Sequence, residues 1–194
     1  MNTPSHWVLS AVVLGRGPWR DAWRPIMAGA IAPDLPMLGF YAYQRLVVGA
    51  ADRWIWSQTY FEPGWQAFFD VFNSFPLIAL MALAAWYAGS KAGLAFCASM
   101  ALHCLLDLPL HREDAHGHFF PLSSWRFVSP VSYWDFRHYA AYAATAEVLL
   151  TVAGSVSLLR REAGPWRIIG IASLGLVGAF ACVALVLWSR SLLA

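Results

Sequence analysis

Charged residues are scarce in this chain. Of its 194 residues only 12% are Asp, Glu, Lys or Arg, and 59% are hydrophobic, whereas a soluble domain carries about 25% charged residues. No charge lies between Asp70 and Lys91, between Lys91 and Asp107, or between Arg167 and Arg190. Two of these gaps reach the about 20 apolar residues that a membrane helix needs. The scarcity argues against a soluble globule, a disordered chain or a coiled coil, and it favours an integral membrane protein.

Cysteine pairs and basic stripes are also lacking. Cys97, Cys104 and Cys182 lie in apolar runs without Cys-x-x-Cys spacing, which predicts small buried side chains rather than disulfides or a zinc knuckle. The net charge is only +2, so we expect no nucleic-acid partner. Met1 to Ser10 has no Lys or Arg ahead of its apolar stretch, and we therefore expect no cleavable signal.

The apolar segments predict an all-α, polytopic membrane bundle of about four to six membrane helices, forming a single domain over residues 1–194. The predicted segments are His6 to Gly15, Ile26 to Val48, Phe75 to Gly89, Ala92 to Leu108, Tyr139 to Leu159 and Ile168 to Trp188. Pro33 and Pro36 flank Asp34 and predict a broken second helix. The aromatic stretch Ala50 to Asn73 indicates an interfacial loop or a surface helix.

Short basic loops set the expected orientation. Arginines occur at 15–25 and 160–167, and Lys91 stands alone between two apolar segments. If helices cross between them, all three loops lie on one side, which the positive-inside rule assigns to the cytoplasm. The polar and aromatic connection 109–137 then faces outward. For Trp125, Tyr133 and Trp134 within it, an interfacial aromatic belt is favoured over a substrate platform.

Ionisable residues inside apolar segments are costly and indicate functional sites. Asp34 lies in the broken helix, and Glu147 lies in the middle of an apolar span. His103 and Asp107 are four residues apart, so they share one helix face. An imidazole nitrogen and a carboxylate oxygen at this spacing can bind one divalent cation.

Further histidines follow this helix directly. His111, His116 and His118 come after Pro109, and Asp114 lies among them. A helical His-x-x-x-Asp pair followed by such a turn favours a metal site at a membrane border.

Other interpretations of these residues remain open. The His103 and Asp107 pair could be a hydrogen bond that joins two helices. His116 and His118 could be solvated, and Asp34 could stabilise its proline turn. The position of His138 beside Arg137 indicates a structural role rather than a metal ligand. In isolation, His6 could be an interfacial side chain and Glu147 could pair with an arginine.

Four further motifs can be picked out: TPSHW (3–7), GAIAPDLP (29–36), LHCLLDLP (102–109) and HFFPLSSWRF (118–127). Together they resemble the membrane-bound metal-dependent hydrolases, of the LexA-regulated inner-membrane type. The family's His-Arg-Gly-x-Thr-His-Ser segment is absent from its usual place, and the nearest match is HREDAH (111–116). A more distant similarity is to zinc-dependent phospholipase C, whose following histidine would be His111 and whose final His-x-x-x-Glu is missing here.

The resemblance implies a hydrolase that uses a divalent metal. His6, Asp34, His103 and Asp107 would bind this metal, and mixed imidazole and carboxylate ligands favour zinc. A second set of three histidines would complete the shell or hold a second metal: His111, His116 and His118. Asp114 or Glu147 would act as general base or support a ligand imidazole.

The expected partner is membrane lipid, and the expected substrate is an ester or phosphoester of a lipid or lipid-linked molecule at a bacterial inner membrane. Two other functions fit the same residues. A broken helix with Asp34, together with Glu147, would suit a metal-ion or proton transporter or channel. A closed shell of four ligands would instead indicate a membrane scaffold with a structural metal.

Overall fold

The computed structural model describes residues 1–161 and 164–191, and within them every regular element is helical. The helices are α1 (Thr3–Leu14), α2 (Trp23–Ile31), α3 (Leu35–Tyr43), α4 (Asp52–Ser57), α5 (Pro63–Phe72), α6 (Phe75–Tyr87), α7 (Lys91–Asp107), α8 (Ala140–Leu159) and α9 (Pro165–Ser191). Single helical turns of other types cover Gly17–Trp19, Gln44–Val48, Thr59–Phe61 and Phe136–His138. The all-α prediction is confirmed.

Among the described residues, two stretches are long and apolar enough to cross a membrane, namely Pro63–Tyr87 and Ala140–Leu159. The first is interrupted at Asn73, because the Ser74 hydroxyl caps α6 by accepting from the Leu77 amide at 3.2 Å. Helix α7 has 17 residues and falls just short of the about 20 that span a bilayer core. The count of four to six membrane helices stays a prediction.

Helix α8 buries polar side chains and exposes apolar ones, which is the opposite of the pattern in a helix of a soluble protein. It buries Glu147, Thr151 and Ser155, which lie at helical spacing on one face. Its opposite face exposes apolar side chains, and Leu149 is 64% exposed. A helix with polar groups inside and leucine outside is stable where its surroundings are apolar, so α8 has the pattern of a lipid-facing helix.

Hydrogen bonds between neighbouring helices fix their directions. Helices α1 and α8 run the same way, because Ser5 contacts Glu147 near their starts and Gly15 contacts Arg161 near their ends. Helices α2 and α7 also run the same way. The Ser99 hydroxyl donates to the Ile26 carbonyl at 2.7 Å, and one turn later His103 reaches Ala30.

The bundle therefore has two chemically different ends. We call the end with His6, Asp34, His103 and Asp107 the histidine end. The opposite end carries the predicted basic loops, and we call it the arginine end; its residues are Arg16, Arg20, Lys91, Arg160 and Arg161. Residues 15–23, 160–161 and 164–166 line one cavity there, so these two basic segments lie on the same side of the bundle, as predicted.

A fully buried apolar cluster lies among helices α1, α2, α7 and α8. Its members are Val8, Ala11, Ile26, Ala95 and Leu158. Gly29 lets α2 approach α7 closely, because a Cβ atom there would lie 2.3 Å from the carbonyl oxygen of Phe96. This approach places the α2 backbone beside the histidine of α7.

The remaining predictions about individual segments can be compared with the helices one by one. The proline break is confirmed, since α2 ends at Ile31 and α3 starts at Leu35. The stretch Ala50 to Asn73 forms the short helices α4 and α5 rather than a loop. Cys97 and Cys104 are buried and unpaired as expected. Helix α9 contains the last predicted span; side chains there are described as far as Phe180, so Cys182 lies outside the described side chains.

Candidate metal centre

Segments that are remote in the sequence meet at the histidine end. His6 comes from the first turns of α1, and Asp34 lies between α2 and α3. His103 and Asp107 lie on successive turns of α7. One ligand atom from each of His6, His103 and Asp107 lies within 4.8 Å of the others.

The Asp107 carboxylate is at the middle of this cluster. Its Oδ1 lies 3.1 Å from Nε2 of His6, and its Oδ2 lies 3.1 Å from Nε2 of His103. Oδ1 of Asp34 lies 3.5 Å from the same His103 nitrogen. The amino group of Met1 also contacts Asp107. The two imidazoles and the Asp107 carboxylate are out of reach of bulk water, since His6 is 0%, His103 1% and Asp107 3% exposed, whereas the Asp34 side chain is partly exposed.

The orientation of His103 is set by the backbone of α2. Its Nδ1 lies 2.8 Å from the Ala30 carbonyl oxygen, which can only accept, so Nδ1 must carry a proton. In a neutral imidazole, Nε2 then presents a lone pair toward the carboxylates of Asp107 and Asp34. Two acceptors at this distance repel each other unless a proton or a metal cation lies between them.

His111 repeats the arrangement from the other side of Asp107. Its Nδ1 contacts Oδ2 of Asp114 at 2.9 Å, while its Nε2 lies 3.6 Å from Oδ2 of Asp107. That Nε2 atom is buried and has no hydrogen-bond partner among the described residues. Burial alone would lower the pKa of His111, but its contacts with Asp107 and Asp114 raise the pKa to about 9. An imidazole held by a carboxylate behind it is the usual form of a metal-ligating histidine.

Two separations around His103 are close to those of ligands that share one cation. In a tetrahedral shell, two ligand atoms about 2.0–2.2 Å from a zinc ion lie about 3.3–3.6 Å from each other. The observed separations around His103 and Asp107 are 3.1 and 3.5 Å. Nδ1 of His6 is buried without a hydrogen-bond partner in the described part of the chain. The donor set is thus imidazole nitrogen and carboxylate oxygen at suitable distances for one divalent cation.

Glu147 anchors the start of α1 through one of its carboxylate oxygens. Its Oε1 accepts from the Asn2 amide at 2.8 Å, the Asn2 side chain at 3.0 Å and the Ser5 hydroxyl at 2.6 Å. The neighbouring Thr3 hydroxyl donates to Asp34 at 2.5 Å. These bonds position the turn that carries His6, which makes Glu147 a positioning residue.

The two remaining histidines of the predicted set, His116 and His118, lie further from Asp107 than His111 does. The His116 ring centre is 4.9 Å from that of His111, and burial together with the charge of His111 lowers the pKa of His116 to about 3. Nδ1 of His118 donates to the Asn73 carbonyl at 2.9 Å, and burial lowers the pKa of His118. The structure therefore places His111 directly against Asp107, and it places His116 and His118 beyond it.

An ion pair between a buried carboxylate and a partly buried arginine, which sequence reasoning missed, holds the segment with His116 and His118 in place. Asp70 on α5 accepts from Arg126 at 2.5 and 3.2 Å and from the Gly117 amide at 2.7 Å. Gly117 is required there, because a Cβ atom would lie 2.6 Å from the Asp70 carboxylate. Arg126 also donates to the carbonyl of Ala115. The segment that contains His116 and His118 is thus fixed to α5.

A second group of possible ligands is more exposed. Nδ1 of His138 lies 3.1 Å from Asp135 and 3.4 Å from Glu113. Asp135 is already paired with Arg137 at 2.9 Å, and hydrogen bonds from Arg137 lower the pKa of Asp135. These contacts agree with the predicted structural role of His138.

Comparison with known protein families, with curated proteins and with solved structures finds no match to this chain. The resemblance to membrane-bound hydrolases therefore stays a hypothesis.

Proposed function

We propose that His6, Asp34, His103 and Asp107 bind a divalent cation, with zinc favoured, and that His111 completes or extends this shell. We further propose that the centre hydrolyses an ester or phosphoester of a lipid or lipid-linked molecule in a bacterial inner membrane. The observation that carries the proposal is the orientation of two histidines. His103 and His111 each donate Nδ1 outward and direct Nε2 at Asp107.

A bound divalent cation would polarise a substrate carbonyl or phosphoryl oxygen and lower the pKa of a water to about 7. The protein would supply the remaining functions. Asp114 holds His111 through Oδ2, and its Oδ1 is buried with no hydrogen-bond partner among the described residues. We assign to Asp114 the support of His111 and, through this free oxygen, the role of candidate general base.

Exposed aromatic side chains support a substrate at the membrane surface. In the connection that covers the histidine end, Trp125 is 51% and Trp134 50% exposed. Tryptophan is enriched at the level of lipid headgroups. This placement would bring headgroup ester or phosphoester bonds beside the candidate ligands.

The position of the ligands favours hydrolysis over transport. They gather at one end of the bundle, and among the described residues the groups buried toward the arginine end are uncharged: apolar side chains such as Val8, Ile26 and Leu158, and the hydroxyls of Ser10 and Ser155. A transport path requires polar groups that reach both membrane faces. A scaffold with a structural metal would show a closed shell and no turnover.

Metal content tests the first step. We expect wild-type protein, purified in detergent and dialysed against zinc-free buffer, to retain stoichiometric zinc by elemental analysis. His103→Ala and Asp107→Ala should lose it while still inserting into membranes, because each removes a central ligand. His138→Ala is the matched histidine control and should retain it. Equal metal content in wild type and both site variants would refute the centre.

Turnover tests the second step. Zinc-loaded wild type should cleave at least one ester or phosphodiester probe from a broad lipid panel, chelator should abolish the cleavage, and Asp107→Ala should be inactive. Zinc retention without chelator-sensitive turnover would reject the hydrolase. Uptake of the metal into vesicles would then identify a transporter.

A further inference from the structure

The arginine end contains a cavity that the hydrolase proposal does not use. Its volume is about 780 Å³, which lies within the range of about 300–1,000 Å³ typical of ligand pockets. Residues 15–23 form one wall, and residues on both sides of the turn between α8 and α9 form the other. It is remote from the histidine end, because it lies where α1 and α8 finish.

The charge of this cavity has one dominant sign. Four guanidinium groups line it, and Asp21 is the single carboxylate among the described lining residues. The guanidinium groups belong to Arg16, Arg20, Arg160 and Arg161. Several like charges around one hollow repel each other, and an anion in the hollow relieves that repulsion.

Arg161 is fixed in place by neutral partners. It donates to the carbonyl of Gly15 at 2.7 Å and to that of Val12 at 3.3 Å, neither of which cancels its charge. Its guanidinium lies 5.6 Å from the ring centre of Trp166. Burial and the nearby charge of Arg16 lower the pKa of Arg161.

The wall behind Arg161 is also fixed. Trp166 is buried, and its indole N–H donates to the Arg20 carbonyl at 2.7 Å. This bond joins the start of α9 to the loop after α1. The two arginine-bearing segments are therefore held in one arrangement, which reduces the ordering cost of binding a ligand.

We propose that this cavity binds a phosphate group, as a monoester, a diester or the free ion. Guanidinium groups match phosphate oxygens in a planar, two-point geometry, and they are the preferred phosphate ligands of proteins. The phosphate can come from the headgroup of an anionic phospholipid or from solution. This site does not depend on the metal centre at the opposite end.

Binding of two defined probes by the full-length protein in detergent tests the proposal. The first probe is inorganic phosphate, measured by calorimetry. The second probe is phosphatidylglycerol, offered in nanodiscs that also contain phosphatidylcholine. The lipid that the protein retains is measured and compared with the lipid retained from nanodiscs of phosphatidylcholine alone. The test variant is Arg16→Gln/Arg160→Gln, since both side chains are exposed and line the cavity. The control Lys91→Gln/Arg167→Gln removes the same charge from the same end outside the cavity.

We expect wild type to bind at least one probe and the test variant to bind it about tenfold or more weakly, with the control unchanged. Arg160→Lys, which keeps the charge but lacks the planar fork, should bind with intermediate affinity. Binding of phosphate alone identifies a soluble source, and selective retention of phosphatidylglycerol identifies the headgroup. An equal loss in test and control variants, or no binding of either probe by wild type, would overturn the proposal.

Discussion

The two ends of the bundle are built from the same helices, yet they handle charge in opposite ways. At the histidine end, acidic and imidazole groups are buried against each other, as in the contacts of Asp107 with His6 and His103. At the arginine end, four guanidinium groups and one carboxylate among the described residues line an open cavity. The charges of the first end are complemented largely from within the chain, whereas we propose that a bound anion complements the second.

This difference has an energetic reason. A buried carboxylate that loses its partners keeps its full cost of desolvation, so substitutions around Asp107 should act strongly and together. Exposed arginines remain solvated when a neighbour is removed, and their substitution changes stability little. The comparison therefore predicts large losses of unfolding free energy for substitutions at the histidine end. At the arginine end it predicts mainly weaker ligand binding.

Gly29→Ala should give the largest effect. A Cβ atom there would meet the Phe96 carbonyl at 2.3 Å and the Ser99 Cβ at 2.8 Å, so α2 must move away from α7. We expect a loss of about 3 kcal/mol in unfolding free energy, the upper part of the range for overpacking. Zinc retention should also fall, because the Ala30 carbonyl that orients His103 moves with α2.

Gly39→Ala is the matched control, since a Cβ atom at Gly39 would meet no atom within 4 Å. It lies inside α3, where alanine should be neutral or stabilising by up to about 1 kcal/mol. Thermal unfolding in detergent measures both variants, with about 2–4 °C expected per kcal/mol. Equal midpoints for the two variants would show that the close approach of α2 and α7 does not position the centre.

Part of this architecture is predictable from local sequence. The shared face of His103 and Asp107 follows from helical periodicity alone, and the break at Asp34 follows from its two flanking prolines. The pairing of Asp70 with Arg126 does not, because nothing local determines which loop folds back over α5. The available signal was weak: Asp70 is the last charge before a long uncharged stretch.

Arg126→Met should have the second-largest effect, and it compares a partly buried arginine with a largely exposed one, each paired with a buried carboxylate. It leaves the Asp70 carboxylate buried with the Gly117 amide as its remaining partner among the described residues. We expect a loss of about 2 kcal/mol. Arg137→Met removes an arginine that is 83% exposed from its pair with Asp135, and it should cost less than about 1 kcal/mol.

Thermal unfolding and limited proteolysis of the connection 109–137 measure this pair of variants. Arg126→Lys should recover part of the stability, because it keeps the charge without the two-point contact. Similar losses of stability for Arg126→Met and Arg137→Met would mean that the pair of Arg126 with Asp70 contributes no more to stability than a surface ion pair does. Phosphate binding at the arginine end should stay unchanged in both.

Asp114→Ala should have the smallest effect on stability and the most selective effect on the metal. Asp114 contacts His111 at 2.9 Å, so its loss frees the imidazole to rotate but removes only one hydrogen bond, worth about 1 kcal/mol. Removing the partner of a ligating histidine weakens metal affinity about 10–100-fold. The neighbouring Glu113→Ala, which contacts Arg112 and His138 instead, should leave zinc affinity at the wild-type value in a competition titration with a chelator. If both variants bound zinc like wild type, His111 would belong to the protein scaffold, and the centre would consist of the ligands from α1, α7 and Asp34 alone.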